Sequence, residues 1–96
     1  MEVLHNEFYS KIKEITKLSK QVNKNNKQKI IEMMKSHIIE IEKLYNKKDD
    51  HWAVETADLI VLSLELLVTE NKNIDNIFKK CIPRFYKKLG ELQLYI

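Results

Sequence analysis

Glu55 and Asp58 stand at the start of the segment 51–68, HWAVETADLIVLSLELLV. Carboxylates three residues apart on an α-helix share one face, about 5–6 Å apart at Cβ. So placed, they repel each other beside a run that reads as core. A metal ion, a lysine or solvent must compensate them, and which of the three does so decides whether the chain is an enzyme. A second pair with the same spacing, His37 and Glu40, lies upstream in KSHIIEIEKL. Glu40, Glu55 and Asp58 are hard oxygen donors that suit Mg²⁺ or Mn²⁺, ions that keep waters and recruit phosphates. An imidazole from His37 shifts the preference towards Mn²⁺ or a softer ion. Each residue also has a plainer role. Acids in a first turn are favoured by the positive end of the helix macrodipole, and Glu40 alone reads as a solvated helix residue. His51, four residues before Glu55, is spaced for a contact with that acid at the helix end.

These residues need helices to carry them. Leu4, Phe8, Ile12, Ile15, Leu18 and Val22 recur in steps of three and four, predicting a first helix over about 2–22. NKNNK at 23–27 ends it. A second helix over about 27–46 carries Ile30, Met34, Ile38, Ile41 and Tyr45 on one stripe. NKKDD at 46–50 is the next connection, with Asp49 or Asp50 placed to cap a third helix. That helix, about 51–70, is apolar nearly all round from Leu59 to Val68, which predicts the most buried element. Glu65 interrupts the apolar run on Asp58's stripe, so it faces either the same cleft or an exposed edge. Trp52, beside the start of the buried helix, reads as packing more readily than as a stacking platform for a base. Asn73 or Asp75 caps a fourth helix, and Pro83 predicts a kink or a break there with a restart at the proline. The short second connection makes helices two and three antiparallel neighbours, which sets His37 and Glu40 opposite Glu55 and Asp58. The expectation is that Glu40, Glu55 and Asp58 converge, with His37 at the margin.

Composition narrows the class. A chain of 96 residues is one domain, 1–96. A single Gly and a single Pro leave little for tight turns, which argues for long helices over sheet. The expected fold is therefore all-α, an antiparallel bundle of four to five helices. Its small size and surplus of apolar residues imply completion as a homodimer or homotetramer. Cys81, the one cysteine, has no internal disulfide partner and no zinc-type spacing around it, which fits a reducing, cytoplasmic setting. The longest apolar stretch is too short to span a bilayer and contains Glu65. The net charge of +3 is mild and mixed in sign, and of the 17 Lys and Arg residues only Arg84 is an arginine. That speaks against nucleic acid as a partner.

With Glu55-Thr56-Ala57-Asp58 followed by LIVLSLELLV, the chain resembles the MazG-like all-α nucleoside triphosphate pyrophosphohydrolases, relatives of phosphoribosyl-ATP pyrophosphohydrolase and the dimeric dUTPases. That family carries Glu-Glu-x-x-Glu on one helix and Glu-x-x-Asp opening the next. Glu40 falls where the last glutamate of the first half belongs, while Ser36 and His37 stand in the places of the paired glutamates. Asn73-Ile74-Asp75 and the Lys-rich helix after it are similar to the family's C-terminal part, so the likeness covers about 29–90. The resemblance implies Mg²⁺- or Mn²⁺-dependent attack of water on the α-phosphorus of a nucleoside triphosphate, releasing monophosphate and pyrophosphate. It implies Glu40, Glu55 and Asp58 as catalytic and metal-binding residues, with His37 as a further ligand. Lys79, Lys80, Arg84 and Lys87, with Lys88 beside them, would hold the polyphosphate. Glu32, eight residues before Glu40 and partly around the helix, is set aside. Two other readings stay open: a relative that binds without turnover, and an unrelated helical protein-interaction module.

Overall fold

The computed structural model describes residues 5–24 and 26–94, and its regular structure is entirely helical. Four helices succeed one another: α1 (Asn6–Asn23), α2 (Lys27–Asn46), α3 (Trp52–Thr69) and α4 (Ile74–Gln93). The architecture is an all-α helical bundle, as the scarcity of turn formers and the three- and four-residue periodicity require. No helix among the described residues is long and apolar enough to cross a membrane.

The centre of the bundle is the α2–α3 hairpin, closed by the polar NKKDD connection. Three pairings fix its antiparallel register. Tyr45 and Trp52 meet edge to face at the turn, with centroids 5.4 Å apart at 78°. His37 meets Glu55 and Asp58 mid-seam. At the far end Lys27 Nζ lies 3.2 Å from Glu70. The turn itself is a Schellman motif: the Asp49 amide donates to the Leu44 carbonyl at 3.0 Å, and Lys48 takes the left-handed conformation at φ 62°. α3 ends the same way, with the Lys72 amide on the Leu67 carbonyl and Asn71 at φ 58°. Lys24, after α1, is left-handed as well. All three positions would suit glycine, yet the chain's one glycine, Gly90, sits inside α4.

α3 is the most buried helix, contributing Leu62, Leu64, Glu65 and Thr69 to the interior. Its all-round apolar sequence is why: α2 covers one face while α1 and the first turn of α4 cover another. Ile12 of α1, Leu64 of α3 and Ile74 of α4 form the core, walled by Tyr9, Val61, Leu67, Val68 and Phe78. Each fully buried aliphatic side chain stabilises the fold by about 1.5–3 kcal/mol relative to exposure. The α3 surface that no helix covers leaves Ile60 54% exposed.

The ends of the helices show where local chemistry departs from expectation. α1 is capped by His5, whose Nδ1 accepts from the Glu7 amide at 3.3 Å; Leu4 of the expected stripe lies outside the described residues. α3 is entered through Asp49, whose side chain accepts from the His51 amide, but its N-cap position is His51, which makes no side-chain cap. Asn73 caps α4 as its position suggested, accepting from the Asn76 amide at 3.0 Å. Of the kink or break expected at Pro83, the break does not occur: α4 runs through the proline as one helix. Pro83 and Lys79, whose carbonyl loses its donor, are both exposed. Beyond Ile82 every described residue of α4 is exposed. The radius of gyration, 15.9 Å, exceeds the roughly 12–13 Å of a compact chain this long.

Candidate metal centre

α2 turns inward a stripe rotated slightly from the expected one: Ile30, Met34 and Ile41 stay on it. Ile38 and Tyr45 are 53% and 62% exposed, whereas His37, Ile41 and Leu44 are half-buried against α3. The rotation brings His37 to the seam. Its Nε2 lies 3.3 Å from Glu55 Oε2 and 3.6 Å from Asp58 Oδ2. One ligand atom from each of His37, Glu55 and Asp58 falls within 4.8 Å of the others. Metal–nitrogen and metal–oxygen bonds of about 2.0–2.2 Å place neighbouring ligands roughly 3.0–3.5 Å apart. The 3.3 Å separation falls in that range and the 3.6 Å one just beyond it, so the three groups are close enough for one divalent ion to draw together.

Hydrogen bonding within α2 orients the imidazole. His37 Nδ1 is 2.8 Å from the Met33 carbonyl oxygen, which can only accept, so Nδ1 carries the proton. In neutral His37 the Nε2 lone pair then points at two carboxylates. A metal ion between them would compensate both carboxylates and use that lone pair. A backbone carbonyl on one ring nitrogen and a ligand on the other is the usual second-sphere pattern of metal-binding histidines. Glu55 is held from both sides, since its other oxygen, Oε1, lies 3.6 Å from His51 Nε2. Its side chain is 19% exposed, against 53% for Asp58. The site therefore has a protected wall at Glu55 and an open edge at Asp58.

The remaining site residues fall elsewhere. Glu40, expected to converge with the other two acids, is not in the trio and makes no hydrogen bond or ion pair among the described residues. It sits a helical turn nearer the connection than His37, and the register gives the opposite face of α3 to His37 instead. Ser36 donates to the Glu32 carbonyl of its own helix at 3.2 Å and is exposed. Lys79, Lys80, Arg84 and Lys87 are exposed on α4, and none pairs with a carboxylate of the trio. Arg84, Lys87 and Lys88 line a groove of about 530 Å³ with Cys81, Phe85 and Glu91, all residues of α4. No described residue of α2 or α3 lines it. Glu65 faces neither the cleft of the trio nor an exposed edge: it is buried, 3% exposed, further along the same seam. The position of His37 between Met34 and Ile41, on a stripe otherwise apolar, is the sequence signal for its inward direction.

No family model, curated protein or solved structure matches this chain.

Proposed function

We propose that this chain is a metal-dependent hydrolase of nucleoside triphosphates, releasing the monophosphate and pyrophosphate, with His37, Glu55 and Asp58 holding Mn²⁺ or Mg²⁺. The observation that carries the metal reading is the hydrogen bond that holds His37 Nδ1 on the Met33 carbonyl and turns Nε2 towards two carboxylates. The nucleotide reading rests on the Glu-x-x-Asp opening of α3 and the apolar helix behind it. A bound divalent ion would neutralise phosphate charge and lower the pKa of a bound water. The chain's own part is positional. The Met33 carbonyl holds His37, His51 steadies Glu55, and the open edge at Asp58 leaves room for phosphate oxygens. One imidazole with two carboxylates favours Mn²⁺ over Mg²⁺.

The cations of α4 contribute to such a site from a second copy. Ile60 and Val54 on α3, Ile38 and Ile39 on α2, and Phe85, Leu89 and Leu92 on α4 are all at least half exposed. A homodimer or homotetramer covers apolar surface of this kind. The second reading, a binding module without turnover, is favoured by the absence of Glu40 from the trio.

The deciding experiment follows pyrophosphate release from a panel of nucleoside triphosphates with Mn²⁺ or Mg²⁺, beside Asp58→Asn and Glu55→Gln. Release by wild type that both variants lose supports the hydrolase. Metal stabilisation without release leaves the binding module. Neither release nor stabilisation ends the metal reading altogether.

A further inference from the structure

Seven residues after Asp58, about 10 Å along the axis, α3 buries another carboxylate. Glu65 is 3% exposed and its Oε1 has no hydrogen-bond partner among the described residues; one turn on, Thr69 is 5% exposed and its Oγ1 also lacks one there. Both line a cavity of about 10 Å³ where the end of α1 and the start of α2 cross α3. That is room for one water-sized species. α1 adds Ser19, Lys20 and Asn23 to the wall, and the α2 end adds Asn26, Lys27 and Ile30.

Two lysines line the cavity, but among the described residues neither lies within ion-pair distance of Glu65. Lys27 Nζ is engaged by Glu70 at 3.2 Å. Oxygen donors, by contrast, are plentiful. Asn23 Nδ2 donates to Ser19 Oγ at 3.1 Å, which leaves the Asn23 amide oxygen uncommitted. Asn26 occupies the N-cap of α2 without making a side-chain cap. A buried carboxylate needs both hydrogen bonds and an opposite charge, and a neutral water brings only the first.

We propose that this cavity is a monovalent-cation site, taking K⁺ or NH₄⁺ against Glu65 Oε1 and Thr69 Oγ1. Size and charge select that class. A divalent ion such as Mg²⁺ would bring waters for which the cavity has no room. The bound cation ties three helices together at the end of the seam away from the NKKDD turn. The proposal is independent of the metal trio, with which it shares no residue.

The test is thermal unfolding of the full chain in chelator, in KCl, NH₄Cl or tetramethylammonium chloride at equal concentration. Tetramethylammonium is too large for the cavity and matches the ionic strength. At tenfold the dissociation constant, K⁺ or NH₄⁺ raises the melting temperature by about 5–10 °C over tetramethylammonium. In Glu65→Gln, which keeps the shape and removes the charge, the salts become equivalent; Thr69→Val shrinks the difference. Equal wild-type melting in all three salts overturns the proposal and assigns the cavity to water. A difference that persists in Glu65→Gln overturns it too. The wild-type series decides even where a variant fails to fold.

Discussion

Replacing His37 by alanine separates the observed trio from the acidic motif of the sequence. With wild type at a metal concentration of one hundred times the dissociation constant, binding to the native state adds about 2.7 kcal/mol. For a domain of this size that is a rise in melting temperature of roughly 11–22 °C, at about 4–8 °C per kcal/mol. His37 Nε2 is 3.3 and 3.6 Å from the two carboxylates, so His37→Ala removes one of only three donors. Loss of even a second-sphere partner costs about 10–100-fold in metal affinity. A hundredfold loss leaves metal at its dissociation constant, worth about 0.4 kcal/mol, or roughly 2–3 °C. Glu40→Gln, outside the trio, keeps nearly the whole wild-type rise. Trp52 fluorescence during heating, with and without Mn²⁺, reads all three proteins. The rise also shrinks as pH falls, because protons compete with metal for Nε2. An equal loss in Glu40→Gln and His37→Ala would refute the assignment, as would a His37→Ala protein that keeps the full rise.

Two further outcomes test the scaffold. Leu64→Ala, at 3% exposure in the core with Ile12 and Ile74, costs about 2–5 kcal/mol in urea unfolding; a loss below about 1 kcal/mol would show that α3 is not the buried centre. Lys48→Gly relieves a left-handed lysine at φ 62° and stabilises by up to about 1 kcal/mol, whereas a loss of stability would mean that the lysine side chain contributes more than its backbone costs.

Much of the fold is legible in the sequence because polar punctuation and apolar periodicity agree. NKNNK and NKKDD bracket α2, whose expected limits coincide with Lys27–Asn46, and α3 differs by one residue at each end. What periodicity leaves open is the rotation of α2 about its axis. Isoleucines at 30, 31, 38, 39 and 41 allow two overlapping stripes, and a bundle with one covered side chooses between them by packing against α3. The choice exposes Ile38 and turns His37 inward, so the histidine expected at the margin lies in the trio and Glu40 lies outside it. Periodicity puts Glu65 on the correct stripe of α3, but its burial depends on where α1 crosses, which no local pattern encodes. Pro83 reads as a kink or a break because its ring crowds the carbonyl four residues back and removes that carbonyl's donor; the residues on either side of it keep α4 helical all the same.

The outer half of α4 has a consequence for hydrogen exchange. Residues 83–93 continue α4 with every side chain exposed, and a helical segment of this length is marginal in water by itself. Its amides therefore open without any opening of the core, and in dilute protein they exchange far sooner than those of α3. Association that covers Phe85, Leu89 and Leu92 would slow exchange there while leaving the Leu62–Thr69 amides unchanged. A deuterium-uptake series across protein concentration thus turns the outer half of α4 into a residue-resolved gauge of self-association.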